Sequence, residues 1–197
     1  MALGLNHMDI ATPIEQMLQG ISCLMAYKDC IQNRDSFEAE FVIAACEILQ
    51  SQLGRKDYSV VLEYPYRYIK GGNTREEADL VIIKKGNNKE EKGVVLCVME
   101  FKMSTDTNGG VDKDINKLRT LPKSIDRLSI LLFLKPNEDI RPRFVTDLYN
   151  AKKERIELDK NKYLSQETNV CVRKVAKVFR TKKSVRPPYM AVCIAVM

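Results

Sequence analysis

The chain has 197 residues, 45% of them apolar and 29% charged, with a formal net charge of +6. Such a size and composition suit one globular domain with its own core and exclude a disordered or collagen-like chain. The basic excess is compatible with a polyanionic partner, although a basic solvated surface would give the same figure.

Taken in order, Pro13–Tyr27 sets Ile14, Met17, Leu18, Ile21, Leu24 and Met25 on one face at helical spacing. Asp35 or Ser36 can cap a second helix from Phe37 to Leu53, ended by Gly54 and striped by Phe41, Ala44, Ala45, Ile48 and Leu49. Tyr58–Tyr66 alternates as a strand does, and Gly71-Gly72-Asn73 marks a turn. Two apolar strands follow, Ala78–Lys84 and Val94–Met103, joined by a polar turn. Thr105–Gly110 reads as a loop, Val111–Leu121 as a helix with Ile115 and Leu118 inward, and Leu128–Leu134 as a central strand. Pro142 to Asp159 reads as helical, and Val170–Phe179 and Tyr189–Met197 as late strands split by the basic loop Arg180–Arg186. No repeat, low-complexity tract or linker interrupts this order, so a single α/β domain is expected.

Six cysteines without a CxxC pair, and His7 as the one histidine, argue against a Cys/His zinc centre. Several of the cysteines sit in apolar runs as small hydrophobes do, which points to a reducing, cytoplasmic compartment. No charged and then apolar leader is seen, and the longest apolar stretch, Tyr189–Met197, is too short to cross a bilayer, so no membrane association is expected. Met1–His7, ahead of Met8, reads as an added leader; without it no histidine would be left for acid–base chemistry.

The hairpin holds the chemistry. Asp79 lies in the apolar strand "ADLVII", and Glu100 and Lys102 close the apolar strand "VVLCVMEFK". Gly86 and Gly93 bracket the turn, and symmetric pairing about that bracket puts Asp79 opposite Glu100, with Cβ atoms roughly 4.5–5.5 Å apart. A slip of one residue would send the two to opposite faces. Like charges opposed in an apolar pair repel each other and lose hydration, and a divalent cation between them removes both penalties. Oxygen donors without His or Cys favour magnesium or manganese. Lys102, two residues beyond Glu100, points to the same side and can orient a water, neutralise a phosphate or stabilise developing negative charge. That grouping suits hydrolysis of a phosphodiester by a metal-activated water. The plainer alternative is a solvated strand end whose carboxylates pair with some of the many lysines.

Asp79 and Glu100-Phe101-Lys102, so placed on strands, resemble the PD-(D/E)xK nuclease superfamily, with its restriction-endonuclease-like fold. The likeness in element order runs from the Phe37 helix to the Leu128–Leu134 strand; Ala78 stands where the name-giving motif has proline. The resemblance implies a mixed central β-sheet flanked by helices, with the active site on the hairpin. It implies magnesium or manganese held by Asp79, Glu100 and the backbone carbonyl of Phe101, with Lys102 assisting the attacking water. It also implies a glutamate from the preceding helix. Glu38, Glu40 and Glu47 are the candidates; Glu40, early in the helix, is preferred as a further catalytic and metal-binding group, with Glu47 in reserve. A solvated helix face would explain any of the three equally well. The implied partner is nucleic acid, DNA favoured over RNA, and homodimers that cut two strands are common in such families. A nucleic-acid-binding or assembly module that keeps the fold without cutting is the alternative.

Candidate nucleic-acid contacts are Arg67, Lys70 and Arg75 around the Gly71-Gly72 turn, and Lys117 on the helix after the motif. The densest basic run continues from Arg173 through Arg180, Lys182 and Lys183 to Arg186, where each phosphate contact would add salt-dependent affinity. Tyr64, Tyr66 and Tyr68 could stack on unpaired bases, with sheet packing the more ordinary role.

Overall fold

The computed structural model describes residues 6–28, 38–54, 56–86, 93–103, 108–133, 170–178 and 189–196. Among the described residues four α-helices, α1 (Ala11–Tyr27), α2 (Glu38–Leu53), α3 (Arg67–Lys70) and α4 (Asn108–Arg119), accompany six strands: β1 (Tyr58–Pro65), β2 (Glu77–Lys84), β3 (Val94–Met103), β4 (Asp126–Phe133), β5 (Val170–Val178) and β6 (Tyr189–Val196). The strands form one mixed sheet in the order β1-β2-β3-β4-β6-β5. β3 and β4 are parallel, and every other neighbouring pair is antiparallel. The parallel pair needs a crossover, and α4 supplies it. The expected helix between Pro142 and Asp159 and the loop Arg180–Arg186 lie outside the described residues.

Alternation along the strands builds two cores. Leu80, Ile82, Cys97, Met99, Phe101, Leu128, Ile130 and Leu132 pack against α1 and α2. Val81, Val98, Leu131, Val192 and Ile194 pack on the opposite face against Ile115 and Leu118 of α4. β3 therefore runs through the middle of the sheet with both faces covered, and a charged residue on it must find its partners inside the protein.

The elements depart from the sequence expectations at their ends. α4 begins at Asn108, inside the stretch that reads as a loop. Gly109 and Gly110 each lower helix propensity by about 1 kcal/mol, but docking of Ile115 and Leu118 carries the helix back through them. α1 starts at Ala11, leaving Pro13 in the first turn, where its missing N–H costs nothing. β1 stops at Pro65, and Tyr66 leads into the single turn of α3. Gly71 and Gly72 then reverse the chain with φ of 75° and 87°, values that side-chain-bearing residues rarely adopt. Asn6 and His7 donate their backbone N–H groups to the Asp126 carboxylate at 2.8 and 3.1 Å, tying the N-terminal segment to the start of β4.

Candidate active site

β2 and β3 pair as Leu80↔Met99, Val81↔Val98 and Ile82↔Cys97, then shift by one at a bulge that leaves Leu96 without a counterpart. One step beyond Leu80↔Met99, the same register sets Asp79 opposite Glu100, so the register at this end agrees with the symmetric expectation. Near the turn, the Ile83↔Val95 and Lys84↔Val94 pairs do not follow that symmetry. The ladder stops at the carboxylate itself. The Phe101 N–H donates to Asp79 Oδ2 at 2.6 Å, so the Asp79 side chain occupies the place of a strand acceptor. On the other side of β2, pairing runs Leu62↔Leu80 and Tyr64↔Ala78 around Glu63. Glu63 has a φ of 50°, a left-handed conformation that costs a side-chain-bearing residue about 1 kcal/mol or more. Both ladders beside Asp79 are thus interrupted, and irregular backbone of this kind clusters where a site is held open.

Glu100 is 2% exposed. By alternation it shares the α4 face with Val98, and there two groups meet its Oε1: the Tyr66 hydroxyl donates at 2.6 Å, and Lys117 Nζ lies at 3.7 Å. Burial, with Asp79 as the next cause, pushes the Glu100 carboxyl up to about 8, against the pull of the Tyr66 hydrogen bond and of Lys117. Burial, followed by the Glu100 charge, raises the Tyr66 phenol far above its ordinary range, so it stays a neutral donor. Tyr66 is fully buried, which removes it from the residues that could stack on a base.

α4 contributes a carboxylate that the sequence reading did not single out. Asp114 is 7% exposed, lies 3.6 Å from Lys117 and acts electrostatically on Asp79, Lys102 and Glu100. Burial raises its carboxyl above the usual range, and Lys117 and Lys102 oppose that rise. The signal that could have found it is spacing: Asp114, Lys117, Leu118 and Leu121 sit at i, i+3, i+4 and i+7, so a charged pair shares the stripe that faces the sheet.

Of the three helix glutamates, Glu38 is the one brought to the motif. Its Oε2 accepts the Met103 N–H at 3.1 Å and lies 3.7 Å from Lys102 Nζ. Glu40, the preferred candidate, instead forms an ion pair with Lys28 of the first helical segment, and Glu47 is exposed. The reason is helical phase. Phe41, Ala45 and Leu49 are buried under the sheet, and Glu38, one turn before Phe41 and Val42, points along β3 toward its end. Glu40 and Glu47 fall on the outer flank.

Glu38, Asp79, Glu100 and Asp114 gather around Lys102 and Lys117, so once all four carboxyls are ionised they meet two ammoniums, an excess equal to one divalent cation. The donors are hard oxygens, which suits magnesium or manganese. Among the described residues no three His, Cys, Asp or Glu side chains form a ready-made cage. Magnesium does not require one, since one or two carboxylates and several waters commonly suffice. The donor chemistry of these residues is therefore compatible with the ion.

The remaining candidates are spread out. Arg67 and Arg75 are exposed; the Arg67 guanidinium lies 5.0 Å from the centre of the Tyr68 ring. Lys70 donates to Thr120 Oγ1 at 2.9 Å, linking α3 to the end of α4. Lys117 lies inside the carboxylate group, whereas Arg180, Lys182 and Lys183 lie outside the described residues. Among the described residues no helix is long and apolar enough to cross a membrane. Comparison of the chain with protein-family models, with curated proteins and with solved structures finds no match.

Proposed function

We propose that the chain is a metal-dependent nuclease with a restriction-endonuclease-like core, hydrolysing phosphodiester bonds, with DNA as the favoured substrate. The observation that carries this reading is that Asp79 stands one step past the Leu80↔Met99 pair, opposite the deeply buried Glu100, at the strand end where Lys102 and Glu38 also meet. A sheet built for stability alone would fill these positions with apolar residues. The mixed sheet, the acidic hairpin and the β3–α4–β4 crossover support the fold assignment.

In this reading Asp79 and Glu100 hold magnesium or manganese, which when bound lowers the pKa of a water and polarises the phosphoryl oxygen. The chain's own residues prepare that site. The Phe101 N–H fixes the Asp79 carboxylate, and the Tyr66 hydroxyl fixes Glu100. Glu38 holds the Lys102 ammonium at the end of β3, where it can meet the charge that develops on a phosphate. Plasmid and single-stranded DNA incubated with magnesium, with manganese and with chelator, beside an Asp79→Ala control, test the proposal. Cleavage only with metal and wild-type protein is expected; cleavage that survives chelation or the substitution would place the chemistry elsewhere.

A further inference from the structure

We infer that Lys117 is an internal counter-cation, seated between Glu100 and Asp114 while no metal is bound, and that it is the group a divalent cation displaces on entering. The inference rests on the metal site proposed above and adds how that site is kept folded when empty.

Glu100 and Asp114 come from different layers, the sheet and α4, and both are buried. A buried ionised carboxylate without an opposite charge is strongly destabilising, so this layer needs a cation whenever its carboxyls give up their protons. Lys117 Nζ answers both, at 3.7 Å from Glu100 and 3.6 Å from Asp114. Both separations exceed ordinary hydrogen-bond lengths of about 2.7–3.2 Å, so attraction of charge is the main force that sets the ammonium there. Lys102 satisfies the other end of the site, beside Glu38.

Two features suit this ammonium to leave. Its side chain is 18% exposed, whereas that of Glu100 is 3% exposed, so the ammonium has a path to solvent that the carboxylate lacks. Its flexible four-carbon stem lets the charge withdraw without moving α4. A separate observation points to a polar neighbour in this layer. Ser129 of β4 pairs in register with Glu100, faces the same layer by alternation, and is fully buried; its Oγ has no hydrogen-bond partner among the described residues. Buried hydroxyls are rarely left so, and a polar occupant beside Glu100 would complete it.

The test follows the lysine itself in the wild-type protein. Lysines are acylated with and without manganese, and Lys117 is quantified by mass spectrometry against exposed Lys123, while calorimetry reports manganese binding independently. Labelling of Lys117 is expected to rise several-fold when manganese binds, with Lys123 unchanged. Manganese binding that leaves Lys117 as protected as before overturns the inference and spares the metal site. Absence of any manganese binding overturns the metal site and the inference with it. A second arm compares Lys117→Gln and Lys117→Arg by calorimetry at alkaline pH. A guanidinium grips carboxylates more firmly than an ammonium, so the arginine variant should bind manganese roughly 10-fold or more weakly than the glutamine variant. Equal affinities would refute displacement.

Discussion

Replacing Glu100 by glutamine should stabilise the metal-free protein at neutral and alkaline pH. The side chain is 2% exposed, and its carboxyl titrates near 8 in the folded chain against an ordinary 4.5. Between those values the folded protein holds a proton that the unfolded chain has released, so stability falls as pH rises through this window. At about 1.4 kcal/mol per unit, the cost of ionisation is about 3 kcal/mol at pH 7 and about 5 kcal/mol above pH 8. Glutamine keeps an oxygen for the Tyr66 hydroxyl and never ionises. Urea unfolding in chelator at pH 5, 7 and 8.5 should give wild-type stability that declines toward pH 8.5, while Glu100→Gln loses most of that decline. For a chain of this length, the difference at pH 7 corresponds to a higher Tm by roughly 6–12 °C. Identical slopes for the two proteins would refute the claim that burial and Asp79 hold the Glu100 proton.

Three further outcomes follow from the same contacts. Tyr66→Phe removes the 2.6 Å donor from a buried carboxylate and should cost about 1–3 kcal/mol above pH 8, with a smaller loss at pH 5, read from the same unfolding series. Glu38→Ala should lower metal-dependent cleavage by about 10- to 100-fold, as loss of a supporting group does, whereas Glu40→Ala should leave cleavage unchanged and alter stability by under about 1 kcal/mol. Leu118→Ala opens a cavity beneath α4 and should cost about 2–5 kcal/mol by thermal or urea unfolding.

What the sequence revealed and withheld has physical reasons. The hairpin was legible because period-two apolar runs fix strand faces, and Asp79 and Glu100 broke those runs at matching distances from the turn. The bulge at Leu96 was not legible, because one extra residue leaves the apolar pattern of "VVLCVM" intact. The choice among Glu38, Glu40 and Glu47 turned on helical phase relative to a sheet whose position the sequence does not give. Phe41 and Leu49 define the buried stripe, and only docking against β3 decides which edge of it meets Lys102. Asp114 was hidden by its company: beside Lys113 and Lys117 it reads as one more surface charge, although its spacing from Leu118 places it inward. Tyr66 needed the turn at Pro65 to be seen, since its hydroxyl reaches Glu100 by leaving the strand.

The most direct measurement is anomalous diffraction from crystals of the protein soaked in manganese, wild type beside Asp79→Asn. One strong anomalous peak in contact with carboxylate oxygens of both Asp79 and Glu100, absent from the variant, is expected. A manganese ion bound elsewhere, or a peak that persists unchanged without the Asp79 charge, would contradict the proposed metal site.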